Sequence, residues 1–252
     1  MWVDRNGLYS VLIDATDIGN GAWIVLSQIA ADALDVSVER VHLEIGDSLL
    51  PPGGLAGGSM GTSSWGTVIT EAASRMRDRL QEVRNVIPAE GLEVTGEGKE
   101  NPDAKKFAMH SFGAQFAEVR VNMDSGEVRV PRLLGVFGIG NVMNAKLARS
   151  QLLGGMTMGL SMALHEESVM DSHFGDYVNH DLAEYHIATN ADVGEVDIAW
   201  IDEDDPHVNP MGAKGIGEIG IVGTAAAVAN AVYHATGVRV RNLPITLDKL
   251  LV

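Results

Sequence analysis

Near the C-terminal end, Lys214-Gly215-Ile216-Gly217-Glu218-Ile219-Gly220-Ile221-Val222-Gly223 sets a base, an acid and four glycines side by side. Gly215, Gly217 and Gly220 spell G-x-G-x-x-G, the spacing by which a strand-to-helix turn approaches a pyrophosphate. That chemistry needs an apolar strand before the glycines and an acidic residue ~20 positions beyond them. Here residues 202–207 read Asp-Glu-Asp-Asp-Pro-His, and no acid stands at that distance. The context does not support such a fold. A glycine-rich loop entering a helix also turns backbone N–H groups and a positive helix end toward an anion. Glu218 stands at that junction. It is either a helix-end carboxylate held by the dipole or a general base aimed into a site that the glycines open.

Other candidates carry less. The histidines at 42, 110, 165, 173, 180, 186, 207 and 234 show no H-E-x-x-H spacing. His165 lies beside Glu166 and Glu167 on an expected helix but has no second helical ligand, which reads as partly exposed structure. Gly58-Ser59-Met60-Gly61-Thr62-Ser63-Ser64 lacks the G-K-S/T of a phosphate loop, and Ser59 has no obvious paired base. Residues 202–205 invite calcium but lack the alternating ligands and closing Glu of an EF-hand, so they read as a solvated acidic turn.

The chain has 252 residues, 18 Lys and Arg against 34 Asp and Glu, a net charge of −16 and no cysteine. A field of that sign repels phosphate backbones and anionic lipid, so neither nucleic acid nor membrane is an expected partner. Without cysteine there is no disulfide, thiolate metal site or Cys nucleophile in this chain, and a redox metal must arrive on another ligand. No metal-ligating residues are assigned. No apolar run reaches the ~18–20 residues of a membrane span, and the start has no signal-peptide core. Glycine is 29 of 252 residues, above the ~7% of average usage. The glycines cluster at 19–21, 53–61, 138–140, 154–159 and 212–223, either as tight turns or where backbone comes close to a ligand.

Periodicity supplies the elements that position these clusters. Residues 8–15 alternate as a strand, 22–34 carry helix-spaced apolar residues, 36–40 form a polar link, and 41–45 alternate again. A Pro/Gly loop over 47–64 precedes a helix predicted at 65–86, and 88–106 reads as an irregular connection. Residues 112–122 and 127–137 predict a hairpin, followed by a helix over 145–169. A segment around 177–187, a strand near 195–201, a Pro- and Asp-rich loop at 202–210 and an Ala-rich helix at 224–236 follow. Strands, glycine turn and helix thus occur twice. The fold expected is α+β, two related α/β two-layer halves at 1–90 and 107–252 joined by 91–106.

Taken in order, the clusters resemble the molybdenum-cofactor-binding subunit of the xanthine dehydrogenase/aldehyde oxidase family, over its C-terminal part. The markers are Asp17-Ile18-Gly19-Asn20-Gly21, the glycine loop at 57–64, NVMNAKLARSQ at 141–151, Gly154-Gly155-Met156-Thr157-Met158-Gly159, Lys214 to Gly220 and RVRNLPIT at 239–246. Residues 179–185 and 225–237 look most similar to the bacterial aldehyde-oxidising branch, including periplasmic aldehyde oxidoreductases.

The resemblance implies molybdenum carried by a pterin dithiolene, here as the molybdopterin cytosine dinucleotide. In similar enzymes a buried glutamate takes the proton from the oxygen that attacks the substrate carbon. Glu218 matches it and is the implied general base. The positions matching the family's grip on the pterin and its dinucleotide are Ile18, Gly19, Asn20, Ser59, Gly61, Thr62, Asn141, Val142, Met143, Asn144, Ala145, Lys146, Leu147, Gln151, Lys214, Gly215, Ile216 and Gly217. Two positions depart from the pattern. Many relatives have Gln at Asn20 and at Met158, and a methionine cannot donate the hydrogen bond of that Gln, which points to aldehydes rather than purines. The implied function is oxidation of aldehydes to carboxylic acids, or hydroxylation of N-heteroaromatics. The implied partners are the N-terminal half of the subunit, a [2Fe–2S] subunit, an FAD subunit and a small aldehyde or heteroaromatic substrate. The compartment expected is cytoplasmic, or periplasmic with a partner-borne signal. The alternative is an isolated or truncated fragment that folds, binds no cofactor and is inactive alone.

Overall fold

A computed structural model describes residues 1–98 and 100–251. Lys99, inside the expected connection 91–106, and Val252, the last residue of the expected second half, lie outside them. The secondary structure is mixed α and β, as expected. Two compact units form, and neither is one stretch of chain. The first comprises Met1–Ser111, Ile139–Ala148 and Asp202–Gly215; the second comprises Phe112–Gly138, Arg149–Ile201 and Ile216–Val252.

In the first unit a four-stranded sheet runs in the order β3-β2-β1-β4. Tyr9–Leu12 (β2) pairs in parallel with Val41–Glu44 (β3) and antiparallel with Trp2–Val3 (β1), which pairs with Leu92–Glu93 (β4). β1 and β4 are two residues each, too short to show alternation, and the second was expected to be part of an irregular connection. Helices Ala22–Leu34 (α1) and Gly61–Glu82 (α2) cover one face. The periodic residues of α1, Val25, Leu26 and Ile29, meet Val11, Ile13, Leu43 and Ile45 of the sheet side together with Trp65 and Ile69 of α2. Trp65, Leu26 and Met76 have no exposed surface, and each contributes roughly 2–3 kcal/mol by leaving water.

Both ends of α2 differ from the expected 65–86. Its first helical bond runs from Ser64 N–H to Met60 O at 2.8 Å, so Gly61 and Thr62 lie in the first turn, not in the preceding loop. Met60 at the N-cap makes no side-chain bond to mark that start. The helix stops at Glu82 because Arg84 and Asn85 turn left-handed, at φ 53° and 60°, which no glycine or proline announces.

The second unit holds a three-stranded sheet, β5-β6-β9. Phe112–Val121 (β5) and Val128–Gly138 (β6) form the expected hairpin, with a bulge between Glu118 and Arg120, and Glu195–Trp200 (β9) joins β6 in parallel. Met170–Asp171 (β7) and Asp176–Tyr177 (β8) make a small separate ribbon. Ala145–Leu164 (α3) buries Leu152, Met156 and Leu160, and Thr224–Thr236 (α5) packs on β5. α3 stops at Leu164, short of residue 169, because the N–H groups of His165 and Glu166 both turn back to Ser161 O. His165 is therefore past the helix rather than on it.

Ile219–Thr236 is 18 residues long with a mean hydropathy of 1.2, so one stretch does have the length and composition of a membrane span. It is broken after the single turn Ile219–Val222 (α4), and in α5 Val228 and Val232 are wholly buried.

Candidate functional site

The first glycine turn is built around one carboxylate. Asp17 Oδ1 accepts the N–H groups of Gly19 at 2.8 Å and Gly21 at 3.3 Å, and Oδ2 accepts that of Trp23 at 3.3 Å. Partial burial pushes the Asp17 pKa up, but the N–H donors of Gly19, Trp23, Gly21 and Asn20 outweigh it and hold the carboxyl below its ordinary value. Asp17 thus does the capping work for α1, whose N-cap, Gly21, sits at φ 79° with no side chain to offer. The turn leaves Ile18 and Gly19 exposed. Asn20 Oδ1 is out of solvent and has no hydrogen-bond partner among the described residues.

Three further expected segments converge on the same unit. Leu147 packs on Gly21, where a Cβ would come within 2.7 Å of its methyl. Asn144 donates from Nδ2 to Gln28 Oε1 at 2.9 Å and accepts Leu147 N–H at 2.9 Å, which caps α3. Asn141 donates from Nδ2 to Met211 O at 2.9 Å. Gly215 lies on Ser59, and a Cβ there would stand 2.6 Å from the Ser59 carbonyl oxygen. Only glycine permits that approach. Ser111, which the sequence did not single out, donates from Oγ to Gly215 O. So Gly21, Ser59, Asn141, Asn144, Leu147 and Gly215 are knit together, with Gly61 and Thr62 in the adjoining first turn of α2.

The turn at 202–205 is solvated only in part: Asp202 and Asp204 are exposed, but Glu203 and Asp205 face Lys214. Lys214 has 6% of its side chain exposed and pairs with Glu203 and, at 3.1 Å, with Asp205 Oδ2. Burial alone would lower the Lys214 pKa, and the two carboxylates raise it above its ordinary value.

In the second unit, Gln151 on α3 donates from Nε2 to Gly217 O at 3.1 Å. Glu218 precedes α4, whose four residues are too few for the helix dipole considered above. Its side chain is exposed in this chain. Its turn is held from behind by Gln115, another residue not anticipated. Gln115 Nε2 donates to Ile219 O at 3.1 Å and Gly220 O at 3.0 Å, while its Oε1 accepts the hydroxyl of fully buried Thr224. A glutamine among apolar residues on the covered side of β5 was the one visible signal. Gly155 and Gly159 bring α3 against Gly220 and Thr224. Met158 points the other way and is 62% exposed.

One family model, described as a molybdopterin cofactor-binding domain, matches this chain twice, at residues 1–100 and 89–194. The chain belongs to the molybdopterin cofactor-binding domain family. The double match accords with two related halves. It is 38% identical over 273 residues to the aldehyde oxidoreductase molybdenum-binding subunit PaoC of Escherichia coli K12, covering 99% of this chain and 37% of that subunit. It is 28% identical to the putative xanthine dehydrogenase molybdenum-binding subunit XdhA of the same organism, over 98% of this chain and 38% of the other. The chain therefore spans under two fifths of the length of these curated relatives. Among solved structures it resembles the aldehyde oxidoreductase of Desulfovibrio desulfuricans, with TM-score 0.83, 25% identity and coverage of 99% and 29%. A Cu,Mo-CO dehydrogenase matches in fold, with TM-score 0.81, 20% identity and coverage of 99% and 36%.

The residues present suit a pterin group. A sheltered acceptor without a donor, as at Asn20, costs about 1–3 kcal/mol, and an N–H-rich ligand would repay it. Among the described residues no three His, Cys, Asp or Glu are arranged to hold a metal ion. The donor set is one of backbone amides, Asn and Gln, suited to gripping a pterin rather than a metal.

Proposed function

We propose that this chain is the molybdopterin-binding part of an aldehyde-oxidising molybdenum hydroxylase, with the cofactor as the cytosine dinucleotide and Glu218 as general base. When bound, the molybdenum–pterin group supplies the two-electron oxidation of the substrate carbon. The residues of this chain then have three tasks. Asn20, Asn141 to Leu147 and the Ser59–Gly215 contact hold the group. Glu218 accepts a proton at its carboxylate from the attacking oxygen. Gln115 and Thr224 fix the turn that aims it. The observation that carries this reading is an exposed carboxylate on a turn whose carbonyls are pinned by a half-buried glutamine. Such a base is preorganised before substrate arrives. The 38% identity to an aldehyde oxidoreductase subunit and Met158 support aldehydes over purines. Electrons would leave through [2Fe–2S] and FAD subunits, with the remaining part of the subunit completing the site.

Replacing Glu218 with Gln in the assembled complex tests this. Turnover should fall about 10²–10⁴-fold, while molybdenum per complex stays unchanged. Turnover retained in the variant sinks Glu218 as the base.

A second reading, a fragment that folds without cofactor, is favoured by apolar exposure. Phe112 and Phe116, 53% and 57% exposed, lie on one face of β5, which is the state of a surface made to be covered. Molybdenum content of the natively purified chain separates the two. About one atom per chain supports the working subunit, and none supports the inert fragment.

A further inference from the structure

We infer that Glu203 is a positioning residue: its carboxylate locks the loop around Gly140 to the loop around Lys214, and so fixes two segments read above as cofactor-binding. The inference rests on that reading for its consequence, but the lock stands on geometry alone.

Residues 139–144 and 211–215 lie some seventy positions apart in sequence. Backbone joins them by Asn141 N–H to Gly212 O at 2.8 Å and Lys214 N–H to Ile139 O at 3.0 Å. Two such bonds at an isolated bridge between Gly140 and Ala213, with the Asn141 Nδ2 to Met211 O bond beside them, make a short tie that is open on one side of Gly140 unless its N–H is taken up. Glu203 closes it. One carboxylate oxygen accepts Gly140 N–H at 3.1 Å and the other accepts the Lys214 ammonium. Gly140 can take no other residue here. It sits at φ 65°, and a Cβ would stand 2.1 Å from Gly212 O.

Asp205 completes the lock. Its Oδ2 faces Lys214 at 3.1 Å, and its Oδ1 is held by the N–H groups of His207 at 3.0 Å and Val208 at 3.2 Å. From the other side, Asn101 donates to both His207 O and Val208 O at 2.8 Å. The acidic loop is therefore held by bonds of its own, independent of Lys214. The charges also count. One ammonium between two carboxylates sums to −1, which does not attract a phosphate. Lys214 thus acts as a strut in the scaffold rather than a grip on the dinucleotide, and the segment it steadies continues within four residues to Glu218.

The test is hydrogen–deuterium exchange on the natively purified complex carrying Glu203→Gln, Lys214→Met or both, with molybdenum content measured on the same samples. Glutamine keeps an acceptor for Gly140 and removes the charge that holds Lys214. Exchange at 139–144 and 211–215 should rise about 10- to 100-fold, with α1 and α2 unchanged and molybdenum retention reduced severalfold. The double variant should be no worse than Lys214→Met, because both changes open one lock. Should Lys214→Met fail to fold, Asp205→Asn weakens the same lock from its other carboxylate. Unchanged exchange in the two loops overturns the proposal. So does acceleration spread equally over the whole first unit, which marks general destabilisation, and so does full molybdenum retention with both loops opened. A wild-type complex without molybdenum would overturn the proposed function instead, and the exchange pattern would still decide the lock.

Discussion

Thr224 is wholly buried, yet its hydroxyl has two partners, Gln115 Oε1 and, at 3.0 Å, Gly220 O. Valine has the same shape without the hydroxyl, so Thr224→Val should leave the packing intact and orphan the glutamine acceptor. The expected loss is about 1–3 kcal/mol, read as a lower urea midpoint at unchanged slope. A stability change below about 0.3 kcal/mol would mean that Gln115 is satisfied without Thr224. At this scale the motif residues were legible because each is unusual in type or spacing: Glu218 among glycines, or Asn141 and Asn144 before a helix. Their partners were not. Gln115, Thr224 and Ser111 reach partners more than a hundred positions away and read as ordinary strand, helix or loop, while Glu203 and Asp205 read as part of a solvated acidic turn. An acidic loop looks solvated until one knows that a lysine eleven residues on is folded over it.

At the level of elements, periodicity located α1, β3, the β5–β6 hairpin and α5 to within a residue or two, because each has a clean apolar face. What failed were ends set by conformation instead of composition, as at Met60, Arg84 and Leu164. The two-residue strands β1 and β4 were too brief to show a period. Helix α3 bears a sharper test. Gly155 and Gly159 are one turn apart on the side facing Gly220 and Thr224, and a Cβ on Gly159 would lie 2.6 Å from the Thr224 Cβ. Gly159→Ala should therefore cost about 1–3 kcal/mol through overpacking, although alanine is the better helix former by about 1 kcal/mol. Gly154, with nothing within 4 Å of its Cβ position, is the control, and Gly154→Ala should be neutral or stabilising. Equal effects at the two sites in thermal unfolding would show that α3 does not pack closely through these glycines.

Across the molecule, stability should depend on pH chiefly at the acid end. Asp17 and Asp205 have pKa values depressed below 3.8, burial opposing and N–H donors and Lys214 prevailing. A carboxyl depressed in the folded state contributes stability that is complete above its unfolded pKa and is lost as pH falls through its folded one. Lys214, raised above 10.5, contributes fully below that value and loses its contribution only as pH climbs through its folded pKa. The urea midpoint should therefore drop as pH is lowered from about 5 to about 3, and a midpoint that held or rose over that range would contradict the assignment. The discontinuous units have another consequence, one of timing. The first unit needs Ile139–Ala148 and Asp202–Gly215 as well as Met1–Ser111. A ribosome adds about 5–20 residues per second, so the nascent N-terminal sheet waits some 5–20 s for its last pieces. Until then the surface that receives Met211 is bare, as is that for Leu147 through the first part of the wait, and apolar surface exposed in this way is prone to aggregation.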